Sequence, residues 1–358
     1  MRKMANLNVT AIIKGIKYEP LLCRNLNLFN VEELDKALSS DATFIVNIDD
    51  KNQIALSWWV SSKRTRSYPY ARVYDSLSFA GKRATIIPVL KDEGQKGDRD
   101  FIQWDTISLM SLLGVYVIIA YYIEAERSPR CKGKITDQRF DVDYIKNKIK
   151  NLLSYQSDAL HWNLSQIENI GEIVEKAAQA YNRISKEKGI KMHSESSLRK
   201  RILKLKKGKD EFMSYSRGLA EKAQKREVVT IQPKEHLDGT KATITITNYL
   251  GGKYYLTSDE VWLRDDKIYL VEAKHTKEEK LPSLQDIKDG LLKMILFTNL
   301  EDVKIANSKF TSIPVLKLTT AKTLNVENLS KFQQETLKIL KEEASKNNFK
   351  ILLNDKFI

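Results

Sequence analysis

The chain has 358 residues, 42% of them hydrophobic, with 60 Lys and Arg against 46 Asp and Glu and a formal net charge of +14. That length and apolar content give room for two packed domains and argue against a disordered chain, while the positive excess favours polyanionic partners, because each phosphate contact releases condensed counterions. Only Cys23 and Cys131 are present, with no Cys-x-x-Cys or Cys/His cluster, which argues against a disulfide scaffold or structural zinc and suits a reducing cytoplasm.

The first twenty residues never gather the apolar run of a secretory signal. Asn30-Val31-Glu32-Glu33 has capping-box spacing and opens a short helix toward Leu38. Strands are expected near Thr43–Ile48 and Gln53–Val60. From Ser57 to Tyr74, Lys63, Arg64, Arg66 and Arg72 alternate with Tyr68, Tyr70 and Tyr74, and Pro69 speaks for a loop. Basic residues among aromatics suit DNA, where Arg reads guanine edges and Tyr packs on or bonds the backbone. The plainer reading is a Tyr-rich loop packed on its own domain, with solvated Arg groups.

A strand at Ala84–Leu90 leads into the polar loop KDEGQKGDRD. Thr106 to Ile123 carries no charge, near membrane-spanning length, but Ser108, Ser111 and Gly114 interrupt it. It divides into a buried helix, Phe101–Leu113, a glycine stop and a strand, Val115–Ile123, so no membrane partner is expected. From about Asp141 to Lys188, Leu164, Ile167, Ile170, Val174, Ala177, Tyr181 and Ile184 recur at helical steps. The segment 196–209, SSLRKRILKLKKGK, has seven basic residues and no acid. It reads as a basic linker or helix between an N-terminal α/β and helical region, 1–195, and a C-terminal domain, 210–358. It is either a solvated face or a phosphate contact, with Arg199 and Arg201 as candidates.

The C-terminal domain should hold a helix at Asp210–Arg226 and strands at Ala242–Asn248, Tyr254–Leu263 and Lys267–Lys274. A helix at Ser283–Thr298, a strand at Ile313–Leu318, a helix at Leu329–Ala344 and the tail FKILL complete it. Asp265-Asp266 reads as a hairpin turn. Symmetry about it sets Leu263 against Ile268, Val261 against Leu270 and Asp259 against Glu272, with Lys274 on the face of Glu272. Both faces of the hairpin are apolar, as in a central strand pair, so these three groups stand where a buried sheet runs out. Two carboxylates held that close raise a pKa unless a cation lies between them, and an all-oxygen site suits Mg²⁺. Lys274 could then orient or deprotonate a water, or steady charge on a phosphate. The plainer reading is a hairpin with ordinary surface charges. A rival metal site, Asp92, Glu93, Asp98 and Asp100, ranks lower, because Lys91 precedes its acids and no Glu-x-Lys ends its strand.

Asp259 heading one strand and Glu272-Ala273-Lys274 ending the next resemble the PD-(D/E)XK nuclease motif, with Ser258 where the naming Pro would stand. The order of elements over roughly the last 150 residues resembles that family's αβββαβ core. The resemblance implies an α/β (α+β mixed) fold: a mixed central sheet flanked by helices, plus the N-terminal α/β region. It implies that Asp259, Glu272 and the Ala273 carbonyl bind Mg²⁺, with Lys274 beside the attacking water and a 5′-phosphate and 3′-hydroxyl as products. Gln285 could assist from the next helix, and Glu211 or Glu221 from the first; His275 is read as structural. The N-terminal stretch through KRATIIPVLKDEG and FIQWDTISLMSLLGVYVIIAYY is similar to type II restriction endonucleases. That likeness implies cleavage of double-stranded DNA at a specific sequence, a homodimer and a partner DNA methyltransferase. A repair or mobile-element nuclease on the same core, or a non-catalytic DNA-binding protein, are the alternatives.

Overall fold

The computed structural model describes residues 7–194, 196–198, 240–248, 253–320, 324, 327 and 329–358. The chain forms two compact units, one from residues 1–24 and 218–358, the other from 25–217, as far as these are described. The expected helix at Asp210–Arg226, Glu211, Glu221, and Arg199 to Lys209 of the basic segment lie outside the described residues.

Strand β1 (Leu7–Ile13) opens the described chain and belongs to the unit that holds the C-terminal half. The 25–217 unit begins with β2 (Leu28–Asn30), a 3-10 turn, α1 (Leu34–Ser40), β3 (Thr43–Asn47), β4 (Gln53–Trp58) and α2 (Pro69–Ser76). There follow β5 (Lys82–Pro88), the hairpin β6 (Leu90–Asp92) and β7 (Arg99–Phe101), α3 (Trp104–Leu112) and β8 (Tyr116–Ala120). The hairpin β9 (Tyr122–Arg127) and β10 (Ile135–Phe140), then α4 (Val142–Ser154), α5 (Ala159–Glu168) and α6 (Ile170–Lys188), complete it. Its five-stranded sheet runs β2-β3-β4-β5-β8, with only the β3–β4 pair antiparallel. Phe44, Val46, Ile54, Leu56, Ile86 and Ile118 from the strands pack with Leu34 of α1 and Ile145, Ile149 and Leu152 of α4. Each such burial is worth about 1.5–3 kcal/mol.

Here the structure differs from the sequence reading in two ways. Pro69 does not hold its segment in a loop; it starts α2, where a missing N–H is harmless and the fixed φ suits a first helical turn. The run Thr106–Ile123 is the buried helix, turn and strand that its composition implies, with Gly114 at φ +66°, but its strand breaks before Tyr122 into β8 and β9. Among the described residues no helix is long and apolar enough to cross a membrane.

The other unit carries β11 (Thr240–Asn248), β12 (Lys253–Arg264), β13 (Lys267–Thr276), α7 (Leu284–Phe297), β14 (Glu301–Ile305) and β15 (Ser308–Lys309). It ends with β16 (Thr311–Thr320), α8 (Lys331–Lys346), β17 (Lys350–Leu353) and β18 (Lys356–Phe357). A nine-stranded mixed sheet runs β15-β14-β1-β11-β12-β13-β16-β17-β18. Its centre is an antiparallel meander, β11-β12-β13, extended by β16 parallel to β13 and β17 parallel to β16. On the other side β1 pairs in parallel with β11, setting Val9 beside Ile244. The apolar tail is therefore a strand. Helix α7, capped by Ser283 through the Asp286 N–H at 3.1 Å, buries Ile287, Leu291, Met294 and Ile295.

Candidate active site

The β12–β13 hairpin has the register that symmetry about Asp265-Asp266 demands, from Arg264 opposite Lys267 to Glu260 opposite Val271. Its tip stands clear of the core, Leu263 being 45% exposed. Beyond Glu260 the regular pairing stops. On the other edge of β12, Thr240 pairs with Val261 but Ala242 pairs with Ser258, so three steps on β12 oppose two on β11. This is a β-bulge at Asp259-Glu260, and a bulge re-aims the side chains it carries. Ser258, fully buried, pins it: its hydroxyl lies 2.8 Å from the Glu260 carbonyl oxygen and 2.9 Å from that of Val271.

Asp259 turns toward β13, where its Oδ2 accepts the Ala273 N–H at 2.9 Å. The contact seen for Ala273 is thus through its N–H. The other carboxylate oxygen, Oδ1, accepts no hydrogen bond among the described residues. Glu272, 2% exposed, ion-pairs through Oε1 with Lys274 at 3.0 Å and through Oε2 with Lys293. Lys274 reaches in the other direction to Asp289 Oδ2 at 2.6 Å, and the Lys293 ammonium also lies 3.4 Å from the Thr257 carbonyl. The predicted trio Asp259, Glu272 and Lys274 is therefore one cluster. His275 lies elsewhere, bonded to Thr319 Oγ1 at 2.9 Å.

The charges act strongly on one another. Burial, reinforced by the neighbouring Glu272 carboxylate, pushes Asp259 up to about 7, against the pull of Lys293 and Lys274. Burial also works to raise Glu272, but Lys293 and Lys274 outweigh it and hold that carboxyl down at about 2. Burial likewise opposes the charged form of Lys274, yet Glu272 and Asp289 more than compensate and raise its pKa. The cluster thus contains one firmly ionised carboxylate and one that is poised.

Asp289 and Lys293 escaped the sequence reading, although a signal existed. Gln285, Asp289 and Lys293 are spaced four apart, so they share one stripe of α7. Gln285 itself is exposed in the first turn. The helix approaches closely because residue 290 is Gly: a Cβ there would lie 2.7 Å from Leu316 Cδ1 and 3.3 Å from Lys274 Cε. A second buried pair, Lys317 to Glu260 Oε1 at 2.7 Å, lies on the opposite face of the sheet, with the Trp262 indole N–H on the other Glu260 oxygen at 3.1 Å.

The predicted DNA-contact residues of the 25–217 unit are scattered in role. Arg72 donates to the Trp58 carbonyl at 2.8 Å and the Ser67 carbonyl at 3.0 Å, and its guanidinium covers the Trp58 ring at 4.5 Å. Tyr70 is buried, Tyr68 is exposed, and Arg64 is half-buried. Lys63 pairs with Asp100 at 2.6 Å, and Arg66 is bound to Glu93, Asp98 and Asp100. The acids of KDEGQKGDRD are accordingly met by cations, and Asp92 by His193 at 2.7 Å. Among the described residues no three His, Cys, Asp or Glu side chains gather as a ready-made metal cage. The β12–β13 cluster offers two carboxylates. Comparison with protein-family models, curated proteins and solved structures finds no match to this chain.

Proposed function

We propose that this chain is a divalent-metal-dependent DNA endonuclease of the PD-(D/E)XK type and, within that class, a type II restriction endonuclease. The observation that carries the reading is the convergence of Asp259, Glu272 and Lys274 at the bulged end of the β12–β13 pair. The strand sequence β11-β12-β13, antiparallel throughout, followed by α7 and parallel β16, supports it.

The donor set fits Mg²⁺, which binds one or two carboxylates and keeps several waters. Asp259 has an oxygen without a partner among the described residues, and burial with the neighbouring Glu272 charge pushes its pKa up to about 7 despite Lys293 and Lys274, so a further cation there would favour its ionised form. With all groups ionised, Asp259, Glu272 and Asp289 against Lys274 and Lys293 leave one net negative charge. A divalent ion held by Asp259 and Glu272 would reverse that sign and make the cluster attractive to a phosphodiester. When bound, such an ion supplies Lewis-acid polarisation of the phosphate and a more acidic water.

The chain's own groups do the rest. Lys293 keeps Glu272 ionised and oriented. Asp289 holds Lys274 at a fixed place, so that its ammonium can meet the attacking water or the charge growing on the phosphate without reorganisation. In-line attack then leaves a 5′-phosphate and a 3′-hydroxyl. In this reading the net charge of +14 draws the duplex, the 25–217 unit contributes to recognition, a homodimer supplies two active sites for a palindrome, and a DNA methyltransferase protects host DNA in the cytoplasm.

Digestion of a sequenced plasmid with Mg²⁺ and mapping of the ends tests it. Discrete fragments with 5′-phosphates are expected. Nicks confined to branches or ends would replace restriction by repair, and a mobility shift without cuts would leave only a DNA-binding protein.

A further inference from the structure

The 25–217 unit contains a cavity of about 300 Å³, lined among others by Trp58, Lys91, Glu93, Tyr122, Lys134 and Asp137. That volume is at the lower end of the range for small-ligand sites. Lys91 lies in its wall and is only 9% exposed. Its ammonium has three protons to donate, yet its one polar contact among the described residues is Glu93 Oε1 at 3.4 Å. Glu93 is already oversupplied, with Arg66 on the same oxygen and Lys134 on Oε2 at 2.8 Å. Among side chains of this network less than about one-third exposed, the cations are Arg66, Lys91 and Lys134 and the anions Glu93 and Asp100. With the more exposed Lys63 and Asp98 added, one of each sign, the network still carries one positive charge in excess. A buried ammonium with one long contact is costly unless an anion completes it.

The walls are rigid and partly aromatic. The Trp58 indole N–H is fixed on the Asp41 carbonyl at 2.7 Å, and its ring is covered by the Arg72 guanidinium. The Tyr122 hydroxyl donates to the Val60 carbonyl at 2.9 Å. At the exposed rim Asp137 has φ +47° in a bulge of β10, a conformation that a non-glycine residue keeps only when its surroundings enforce it. Its carboxylate is an acceptor for the N–H edge of a nucleobase.

We propose that this cavity is a nucleotide-binding site, with the phosphate on Lys91 and Lys134 and the base among Trp58, Tyr122 and Asp137. It is separate from the Asp259 site and does not depend on that site's chemistry. The nucleotide could be free or part of a DNA strand, since both present the same phosphate and base.

Titration calorimetry of the full chain with the four deoxynucleoside 5′-monophosphates, a short single-stranded oligonucleotide and inorganic phosphate tests this. At least one nucleotide should bind, and Lys91→Met and Lys134→Ala should each weaken binding about tenfold or more, the loss of one charge-assisted hydrogen bond. Lys134 is one-third exposed, so its replacement leaves the core intact even if Lys91→Met fails to fold. Glu272→Gln should bind the nucleotide unchanged, which separates this site from the carboxylate cluster. Binding by the mononucleotides points to a free ligand and binding by the oligonucleotide alone to a strand, and either supports the site. No binding of any nucleotide at about 10 mM, equal binding of phosphate alone, or binding insensitive to Lys134→Ala would overturn the proposal.

Discussion

Asp259 is the residue on which the electrostatics turn. Its folded pKa of about 7 stands above the ordinary 3.8, so the folded protein holds a proton that the unfolded chain has released. The associated stability is complete below pH 3.8 and is lost as the pH rises toward 7 and through it. Asn at this position cannot ionise. In divalent-free buffer Asp259→Asn should match the parent chain near pH 4 and exceed it at pH 8 by on the order of 2 kcal/mol, a few degrees of melting temperature. Melting curves at the two pH values check this, and a parent chain that is more stable than the variant at pH 8 would contradict the burial argument. Glu272 has the opposite sign: held at about 2, it contributes stability above the ordinary carboxylate range that is lost in strong acid. One member of the pair is thus held ionised by lysines, while burial and its neighbour's charge raise the other.

At the scale of elements, the site depends on a bulge, a close helix and the buried ion pairs that Lys274 and Lys293 make. Gly290→Val would put branched carbon where Leu316 and Lys274 already stand. A loss of about 1–3 kcal/mol by chemical denaturation is expected, with nuclease activity falling further than the lost stability explains, because Lys274 is displaced. The Glu260–Lys317 pair lies on the far face of the sheet from the carboxylate cluster. Glu260→Gln should cost about 3 kcal/mol by leaving Lys317 buried with a weaker partner, whereas Glu260→Leu combined with Lys317→Met should recover most of that stability. Denaturation of the three proteins decides it; equal losses in single and double variants would mean that packing, not charge, governs the position.

The same scale explains what the sequence could reveal. Asp259, Glu272 and Lys274 were legible because their contacts are local: a two-residue turn and a period of two bring them together within sixteen residues. The bulge itself left no mark in the pattern, since Ser258 is an unremarkable residue until its hydroxyl is seen bridging two carbonyls. Strand β1 was missed because its partner, β11, begins more than two hundred residues later and no local turn announces it. Asp289 and Lys293 looked like the polar face of an amphipathic helix, and only the close approach permitted by Gly290 turns them toward the strands. Pro69 speaks for a loop as a helix breaker, yet it stands in the first helical turn, the one place in a helix where proline fits. Arg66 looks like a free recognition residue because the acids that hold it, Glu93, Asp98 and Asp100, lie in a later loop, and Arg72 because no periodicity marks the fold-back that lays it over Trp58.

For the whole molecule, the +14 charge predicts affinity for DNA that falls steeply with salt. Binding of a plain duplex measured between about 50 and 200 mM salt should weaken by a factor on the order of a thousand if six or more phosphates are contacted. A flat salt response would mean that the positive excess is dispersed and serves only solubility. On the proposed reading Glu272→Gln should retain this slope, because the carboxylate cluster would act on the reacting phosphate rather than add to the general attraction.

The most direct measurement is single-turnover cleavage of a mapped DNA in Mg²⁺ by the parent chain and by Asp259→Asn, Glu272→Gln, Lys274→Met and, as a control from the other acidic cluster, Asp98→Asn. The first three should each lose about a hundred- to a thousandfold in rate, as expected for groups that act on the reacting phosphate, while still shifting the DNA in gels, and Asp98→Asn should cut like the parent. Unimpaired cutting by any of the three, or loss of cutting in Asp98→Asn alone, would place the chemistry elsewhere and contradict the account.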